Sequence, residues 1–373
     1  MTGKSSTEVK KLLNSDKGSN LTLTSFTTKG KNLKFQVLPS PIQSESDRKE
    51  YKVIKLENGL TACLISDKAP IDLIENESTE SSDSEDESSS ATNEDENSKD
   101  MSDTDDEFFN KTKAPEQKMA AAGLCIGVGS FSDPKEVQGM AHFLEHMVFM
   151  GSEKFPEEND FDSFIKKGGG SDNASTDAET TCFYFECLEK HLYEALDKFA
   201  QFFISPLMKK EAMGREREAI DSEFQMALPS DDMPKEQLLC SLANPNSPVN
   251  SFGWGNLKTL RDNISDDKLY EGVHEFRKRH YSAHRMTLAI QARLPMETLQ
   301  TYVLDCFYNV PNNNLPPEDF SKFGDGIFDT PEFQKMYYIK PNTDLCQLDL
   351  TWSLPCLQDK YKTKPHNYVA HLI

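Results

Sequence analysis

The sequence predicts an α+β fold, in which a mixed, mainly antiparallel sheet packs against helices. Three features support this prediction. An Asn-Gly pair lies between two apolar runs, several short segments alternate apolar and polar residues, and several longer segments repeat apolar residues at helical spacing. The two kinds of segment are mixed along the chain, and its 373 residues are enough for two domains.

The chain starts with a polar stretch, residues 1–46, which has no sustained periodicity and is predicted to be a mobile tail. The first predicted strands lie in YKVIKLENGLTACLIS, where Asn58-Gly59 joins two apolar runs as a β-hairpin turn. The next strand is expected in MAAAGLCIGVGSFSDP, which begins at Met119. The run between these strands therefore interrupts two segments that we expect to be neighbours in the sheet.

That interruption, residues 69–117, holds most of the negative charge of the protein. Between Ile71 and Glu107 there are 16 acidic residues and one lysine, which give −15 of the net charge of −21 and leave −6 for the remainder. Such a composition cannot form a core, so we predict a disordered acidic insertion within the sheet domain. It is either a solvated linker or a binding segment for polyamines or basic proteins.

Helices and strands are mixed after the insertion. Helices are predicted in FDSFIKK, EKHLYEALDKFAQFF, EAMGREREAIDSEFQMAL, DDKLYEGVHEFRKRHYS and METLQTYVLDCF, and strands in TTCFYFECL and MTLAIQA. The Pro- and Asn-rich VPNNNLPPEDF indicates a domain boundary. We therefore predict one domain over residues 47–318 and the start of a second over residues 319–373, with strands in FQKMYYIK and CQLDLTWSLP.

Composition also bears on the class and location of the protein. The eight cysteines are scattered without a C-x-x-C pair, which indicates reduced, buried thiols and not a secreted disulfide framework. No stretch approaches the roughly 20 apolar residues of a membrane span. The negative charge disfavours a nucleic-acid partner. We expect a cytoplasmic protein, with mitochondrial import or export by a non-classical route as alternatives.

One predicted helix mixes polar and apolar residues in an unusual way. GMAHFLEHMVFMG, residues 139–151, places His142, Glu145 and His146 among aromatic and aliphatic side chains. Polar groups are unfavourable there unless a partner compensates for the water they lose. The two imidazoles project within roughly 40° of each other, so one metal ion could bind both, and Glu145 lies on the same side. The alternative is two hydrogen-bonded core histidines beside a surface glutamate.

A catalytic zinc ion would need one further protein ligand. Two imidazoles and a third ligand leave an open position for water, whose pKa falls to about 7, and a nearby carboxylate can take its proton. The richest candidate segment is GREREAIDSE, in which Glu216 and Glu223 lie seven positions apart and share a helix face. A solvated charged helix is the alternative, and the spacing does not decide between the two.

The order H-x-x-E-H, followed 77 residues after His146 by Glu223, resembles the pitrilysin and insulin-degrading-enzyme family of inverzincin zinc peptidases. The phrases HFLEHMVFMGS, GGSDNASTD, ALDKFAQFFISPLM and YYIKP match this family as well. The resemblance runs from about Tyr51 to Ile373 and leaves out the acidic insertion. It implies a metallopeptidase domain like those of LuxS and mitochondrial processing peptidase, followed by the start of a second, similar domain.

The resemblance also implies roles for individual residues. One Zn²⁺ per chain would be bound by His142, His146 and Glu223, with Glu145 as the general base. Glu216 would orient a ligand. In SDNAST, Asn173 and Ala174 would contact the backbone of a peptide that adds to the sheet as a further strand.

The function that follows is a zinc-dependent metalloendopeptidase that hydrolyses peptides. The resemblance to family members that carry an acidic insertion implies that the protein cleaves peptides near paired basic residues. The alternative is a truncated or non-catalytic member that binds basic peptides or polyamines through the insertion. Family members are nearly three times as long, and their second half helps to bind the substrate. We therefore expect the present chain to turn over peptides slowly or not at all.

Overall fold

An eight-stranded sheet forms the framework of the protein in a computed structural model, which describes residues 23–28, 30–67, 118–324 and 326–372. The strands lie in the order β1-β2-β3-β4-β8-β5-β7-β6. They are β1 (Leu23–Thr28), β2 (Lys31–Leu38), β3 (Glu50–Leu56), β4 (Thr61–Ser66), β5 (Met119–Ile126), β6 (Ser171–Thr176), β7 (Thr181–Leu188) and β8 (Met286–Ala292).

The sheet is mixed but mainly antiparallel, because only the pairing of β4 with β8 is parallel among the described strands. This confirms the predicted fold class. The predicted hairpin of β3 and β4 is also present, and Gly59 has a φ of +95° at its turn. The Asn58 amide donates hydrogen bonds to the carbonyls of Phe307, Tyr308 and Val310, so the turn also holds the end of a distant helix.

Two expectations, one about strand neighbours and one about the N-terminal residues, were wrong. β8 lies between β4 and β5, so the acidic insertion does not join adjacent strands. Residues 23–28 and 31–38 form β1 and β2, where the sequence analysis predicts a mobile tail. The reason is a short alternation in NLKFQVL that buries Leu33 and Phe35 in the core. Residues 1–22, and residues 69–117 of the predicted insertion, lie outside the described part of the chain.

Several of the described helices pack against the sheet, whereas the C-terminal one is exposed along its whole length. The described helices are α1 (Met140–Met147), α2 (Asp160–Lys167), α3 (Leu192–Ile204), α4 (Met213–Ala227), α5 (Asp232–Ser241), α6 (Asp266–His280), α7 (Met296–Phe307) and α8 (Pro365–Leu372). β7 illustrates the two faces, since Phe183 and Phe185 are buried while Tyr184 between them is exposed. Phe183 meets Phe203 and Phe149 in an aromatic cluster between α3, the sheet and the end of α1.

The region after residue 318 differs from the rest. No strand is present among its described residues, so the predicted strands in FQKMYYIK and CQLDLTWSLP were wrong for this structure. Trp352 and many other large apolar side chains are exposed there. The predicted domain boundary near residue 319 stays a prediction.

Two further sequence predictions concern the thiols and the membrane. No disulfide joins the eight cysteines, all of which lie in the described ranges, although only Cys187 and Cys306 are buried and Cys346 and Cys356 are exposed. Among the described helices, none is both long enough and apolar enough to cross a bilayer.

Candidate metal centre

Helix α1 carries the two histidines, and its start is tightly held. Gly139 precedes the helix with a φ of +92°, a conformation that favours glycine. The half-buried Asp133 carboxylate accepts the backbone N–H groups of Gly139 at 2.6 Å and Ala141 at 2.8 Å. These bonds satisfy donors that the first helical turn would otherwise leave unpaired. The orientation of His142 on α1 is therefore set from its first residue.

Helix α4 brings a carboxylate to the two imidazoles. Glu223 Oε2 lies 3.5 Å from His142 Nε2, and Glu223 Oε1 lies 3.6 Å from His146 Nε2. One ligand atom from each of these three residues lies within 4.8 Å of the others, and all three side chains are half-buried. Two imidazole nitrogens and a carboxylate are a set of donors typical of zinc sites. The residues present therefore fit a zinc ion.

The other ring nitrogens have partners that favour the same arrangement. His142 Nδ1 donates to the carbonyl of Trp254 at 2.7 Å, and His146 Nδ1 donates to Glu216 Oε2 at 3.2 Å. A proton held at Nδ1 leaves the lone pair of a neutral imidazole on Nε2, which faces Glu223. Glu216 thus lies beside a histidine and is not one of the three clustered donors.

The histidines and the carboxylates of the centre shift each other's pKa values. Hydrogen bonds from His142 and His146 hold the pKa of Glu223 well below its usual range, against the effect of partial burial. Burial alone would lower the pKa of His146, but the carboxylates of Glu216 and Glu223 outweigh it and raise the pKa to about 9. A metal ion binding here would displace a proton from the site.

Glu145 lies on the same helix but has a different environment. Its side chain is buried, and the Thr176 hydroxyl at the end of β6 donates a hydrogen bond to its Oε2 atom. Burial raises the pKa of Glu145, while the Thr176 bond and the two histidines oppose that rise. Thr181 lies behind Thr176, with 3.3 Å between their hydroxyl oxygens, and donates to the Val128 carbonyl. A carboxylate with a raised pKa is a suitable proton acceptor.

The predicted substrate residues lie on an edge strand. β6 pairs only with β7 among the described strands, so its other edge is open. The N–H of Ala174 is bonded to the Asn173 side chain, whose Oδ1 accepts it at 2.9 Å. Asn173 is exposed and Ala174 is half-buried. The structure therefore places both residues at the open edge, a geometry that a peptide strand could extend.

The predicted site residues line one cleft of about 770 Å³: His142, Glu145, His146, Asn173, Ala174, Glu216 and Glu223. Besides the predicted residues, Trp254 and Thr176 line it, and α5 contributes Met233 and Gln237 to its wall. The sequence analysis missed Trp254, Thr176 and Asp133. Alternation along SDNAST would have placed Thr176 on the same face as Ala174, but the Trp254 contact uses a backbone carbonyl that no residue pattern signals.

Comparisons with known proteins identify one family of peptidases. Residues 110–246 match the family described as "Insulinase (Peptidase family M16)", and residues 268–373 match "Peptidase M16 inactive domain". Nardilysin from Homo sapiens is 49% identical over 263 residues, which are 70% of this chain and 23% of nardilysin. Insulin-degrading enzyme from Bos taurus is 31% identical over 334 residues, 89% of this chain and 28% of that enzyme.

A solved structure agrees with the sequence relatives. The crystal structure of pitrilysin aligns with a TM-score of 0.61 at 29% identity, covering 76% of this chain and 25% of pitrilysin. The chain thus spans about a quarter of the length of these relatives. The resemblance to the pitrilysin and insulin-degrading-enzyme family is confirmed, as is the particular resemblance to nardilysin that the flanking phrases and the acidic run predict.

Proposed function

Because the chain belongs to the insulinase family of peptidases, M16, we propose that α1 and α4 carry the metal centre of a zinc-dependent endopeptidase. The observation that supports this most directly is the meeting of His142 Nε2, His146 Nε2 and the Glu223 carboxylate, while both Nδ1 atoms are bonded elsewhere. Structural histidines have no need of such an arrangement. The three residues would hold one Zn²⁺ per chain.

When bound, zinc would act as a Lewis acid that lowers the pKa of water and polarises the carbonyl group of a substrate. Glu145 is the proposed general base, which takes a proton from water and returns it to the leaving amine. Its burial and the bond from Thr176 keep one carboxylate oxygen fixed, so the other oxygen is oriented for proton transfer. Glu216 holds the imidazole of His146 in the tautomer that binds metal.

The proposed substrate is an extended peptide that lies along the open edge of β6. Its carbonyl would replace Asn173 Oδ1 as the acceptor of the Ala174 N–H, so Asn173 would have to swing away. Four further carboxylates line the cleft, from Asp162, Asp172, Asp177 and Glu236. This excess of negative charge favours basic peptides, and cleavage near paired Arg or Lys residues is the rule we propose.

Further proposals concern partners and location. The acidic segment would bind polyamines or basic proteins in addition to substrate, through long-range attraction that salt weakens. The protein would act in the cytoplasm.

Two matched variants test the proposal. Glu223→Gln should weaken zinc binding by about ten-fold or more, because it removes a charged ligand. Glu145→Gln makes the same chemical change within the site, and it should keep zinc. In a complete enzyme, with the second half of a longer relative added to the chain, it should lower peptide hydrolysis by about 10²- to 10⁴-fold. Zinc content by metal analysis, zinc affinity by chelator competition and hydrolysis of a fluorogenic dibasic peptide are the measurements.

The results can contradict each role separately. Zinc binding as tight in Glu223→Gln as in the parent would remove Glu223 from the donor set. Parental hydrolysis by Glu145→Gln would remove Glu145 from the mechanism. Absence of cleavage by this chain alone is expected, because it spans about a quarter of its relatives. A chain that binds zinc and basic peptides but does not cleave them even after the second half of a longer relative is added would favour the alternative of a binding protein.

A further inference from the structure

We propose that residues 252–257, here called the positioning loop, set the geometry of the metal centre by holding the two donor helices together. The inference rests on the proposed zinc site but concerns residues that are not ligands. The loop follows α5 in the chain and contains the sequence Phe-Gly-Trp-Gly-Asn-Leu. It contacts α1 at one end and α4 at the other, through main-chain groups in both cases.

The contacts with α1 begin before the helix and reach its first ligand. The Phe252 N–H donates to Gln138 Oε1 at 2.9 Å, just ahead of α1. Two residues later, the Trp254 carbonyl accepts the bond from His142 Nδ1. The indole ring of Trp254 also packs edge-on against the His142 ring, with 6.2 Å between the ring centroids. The loop therefore fixes both the tautomer and the plane of this imidazole.

Glycine makes this approach possible. A Cβ atom on Gly139 would lie 2.3 Å from Gly255 Cα, and a Cβ on Gly255 would lie 3.1 Å from both Gly139 Cα and Leu260 Cδ1. Both glycines also have positive φ angles, +92° and +83°. Main chain therefore packs against main chain at the start of α1. A larger residue at either position would push the Trp254 carbonyl away from His142.

The contacts with α4 lie beside the carboxylate ligand. The Leu257 N–H donates to Asp221 Oδ1 at 3.0 Å, two positions before Glu223. The ring of Phe224, the residue after Glu223, packs against Phe252 and Trp254 with centroids 5.3 Å and 6.4 Å apart. One short loop thus contacts two residues close to Glu223 in the chain, Asp221 and Phe224, and also the ring of His142. Ligand positions are sensitive to such supporting contacts, whose loss weakens metal binding.

The central test replaces Gly255 by alanine and compares it with a matched control. Gly214→Ala is that control, because Gly214 lies in α4, the helix of Glu223, and a Cβ atom there would meet no neighbouring group within 4 Å. We expect Gly255→Ala to weaken zinc binding by about ten-fold or more and Gly214→Ala to leave it unchanged. Affinity is measured by competition with a chromophoric chelator.

A spectroscopic measurement separates positioning from simple destabilisation. With Co²⁺ in place of zinc, the visible absorption bands report the ligand geometry, so Gly255→Ala should change their position or intensity and Gly214→Ala should not. Thermal unfolding of the metal-free variants gives the cost to the fold alone. If the loop positions the ligands, zinc should raise the unfolding temperature of Gly255→Ala by less than it raises that of the parent. This difference is separate from any change in the unfolding temperature of the metal-free protein.

A second variant keeps the inference open to test if Gly255→Ala does not fold. Asp221→Ala removes the acceptor of the Leu257 N–H without strain in the backbone, and we expect it to weaken zinc binding by several-fold. Glu218→Ala, on an exposed part of the same helix, is its control. The proposal is overturned if Gly255→Ala folds and binds zinc like Gly214→Ala, or if Gly255→Ala is unfolded and Asp221→Ala binds zinc like the parent. A parent that takes up no zinc would instead contradict the proposed function.

Discussion

Helix α1 and the segment after residue 318 are both rich in large apolar side chains, yet their environments are opposite. Phe143, Leu144 and Met147 of α1 have no exposed surface. In the C-terminal segment, Leu348 is 77% exposed and Trp352 is 72% exposed. The two regions therefore share an apolar composition. They differ in whether other parts of the protein pack against their side chains.

The partners of α1 come from distant parts of the chain. It packs between α4, α6 and β6, which begin at residues 213, 266 and 171. The C-terminal segment touches the rest of the described protein at a few points, such as Thr330 with the Leu242 carbonyl and Phe320 with Phe131. A local pattern can show that a segment has a face to bury, but burial itself depends on what the rest of the chain brings to it.

The largest effect is expected from a change in the packed region. Phe183→Ala removes a fully buried ring from the aromatic cluster, and it should lower the free energy of unfolding by about 3–5 kcal/mol. Chemical denaturation measures this. Tyr184→Ala changes the next residue, which faces the other side of the sheet and is 48% exposed, so its cost should be much smaller. Equal costs would contradict the assignment of the two faces.

A smaller effect is expected from pH. Burial, with the nearby Arg285 and Arg279, lowers the pKa of the His280 imidazole to about 4. The unfolded chain therefore takes up a proton near pH 6.5 that the folded protein does not, and stability falls as pH falls from about 6.5 to 4. The loss at this site could reach about 3 kcal/mol.

The comparison for this prediction is His280→Gln, which cannot titrate but can still accept the hydrogen bond that Arg285 donates to His280 Nδ1. Its unfolding free energy should vary less between pH 7 and pH 4 than that of the parent. His371→Gln, at an exposed position of the C-terminal segment, should leave the profile as it was. An unchanged profile in His280→Gln would show that another group carries the acid sensitivity.

The smallest effect on stability is expected in the C-terminal segment itself. Trp352→Ser should change the free energy of unfolding by no more than about 0.5 kcal/mol, because the side chain is already exposed. The same substitution should reduce self-association, which sedimentation velocity over a range of concentrations would detect. A loss of several kcal/mol would show that Trp352 is buried in solution and would remove the contrast between the two regions.

Much of the fold followed from local patterns. The hairpin at Asn58-Gly59, the helix of His142 and His146 and the helix of Glu223 each had a sequence signal, and the structure contains all three. The spacing of Glu216 and Glu223 did not show which of them faces the histidines, because both lie on one helix face. The resemblance to a known family separated them. In the structure Glu223 faces Nε2 of His146 and Glu216 faces Nδ1, and their roles stay a prediction.

Other features had no local signal. The position of β8 between β4 and β5 depends on pairing between residues 226 positions apart on the β4 side and 160 to 170 positions apart on the β5 side. The strands β1 and β2 were missed because their alternation is short and lies in a polar region. The contact between Trp254 and His142 uses a carbonyl group that every residue possesses, so the order of side chains carries no trace of it.

The position of β8 has a practical consequence for engineering this protein. β4 ends at Ser66 and β5 begins at Met119 at the same end of the sheet, about 10 Å apart with one strand between them. Thr176 and Val128, which support the candidate metal centre, lie at the opposite end, roughly 25 Å away along β5. The ends of the connection from Ser66 to Met119 are therefore a suitable attachment point for a reporter or an affinity tag, since they lie far from the candidate metal centre.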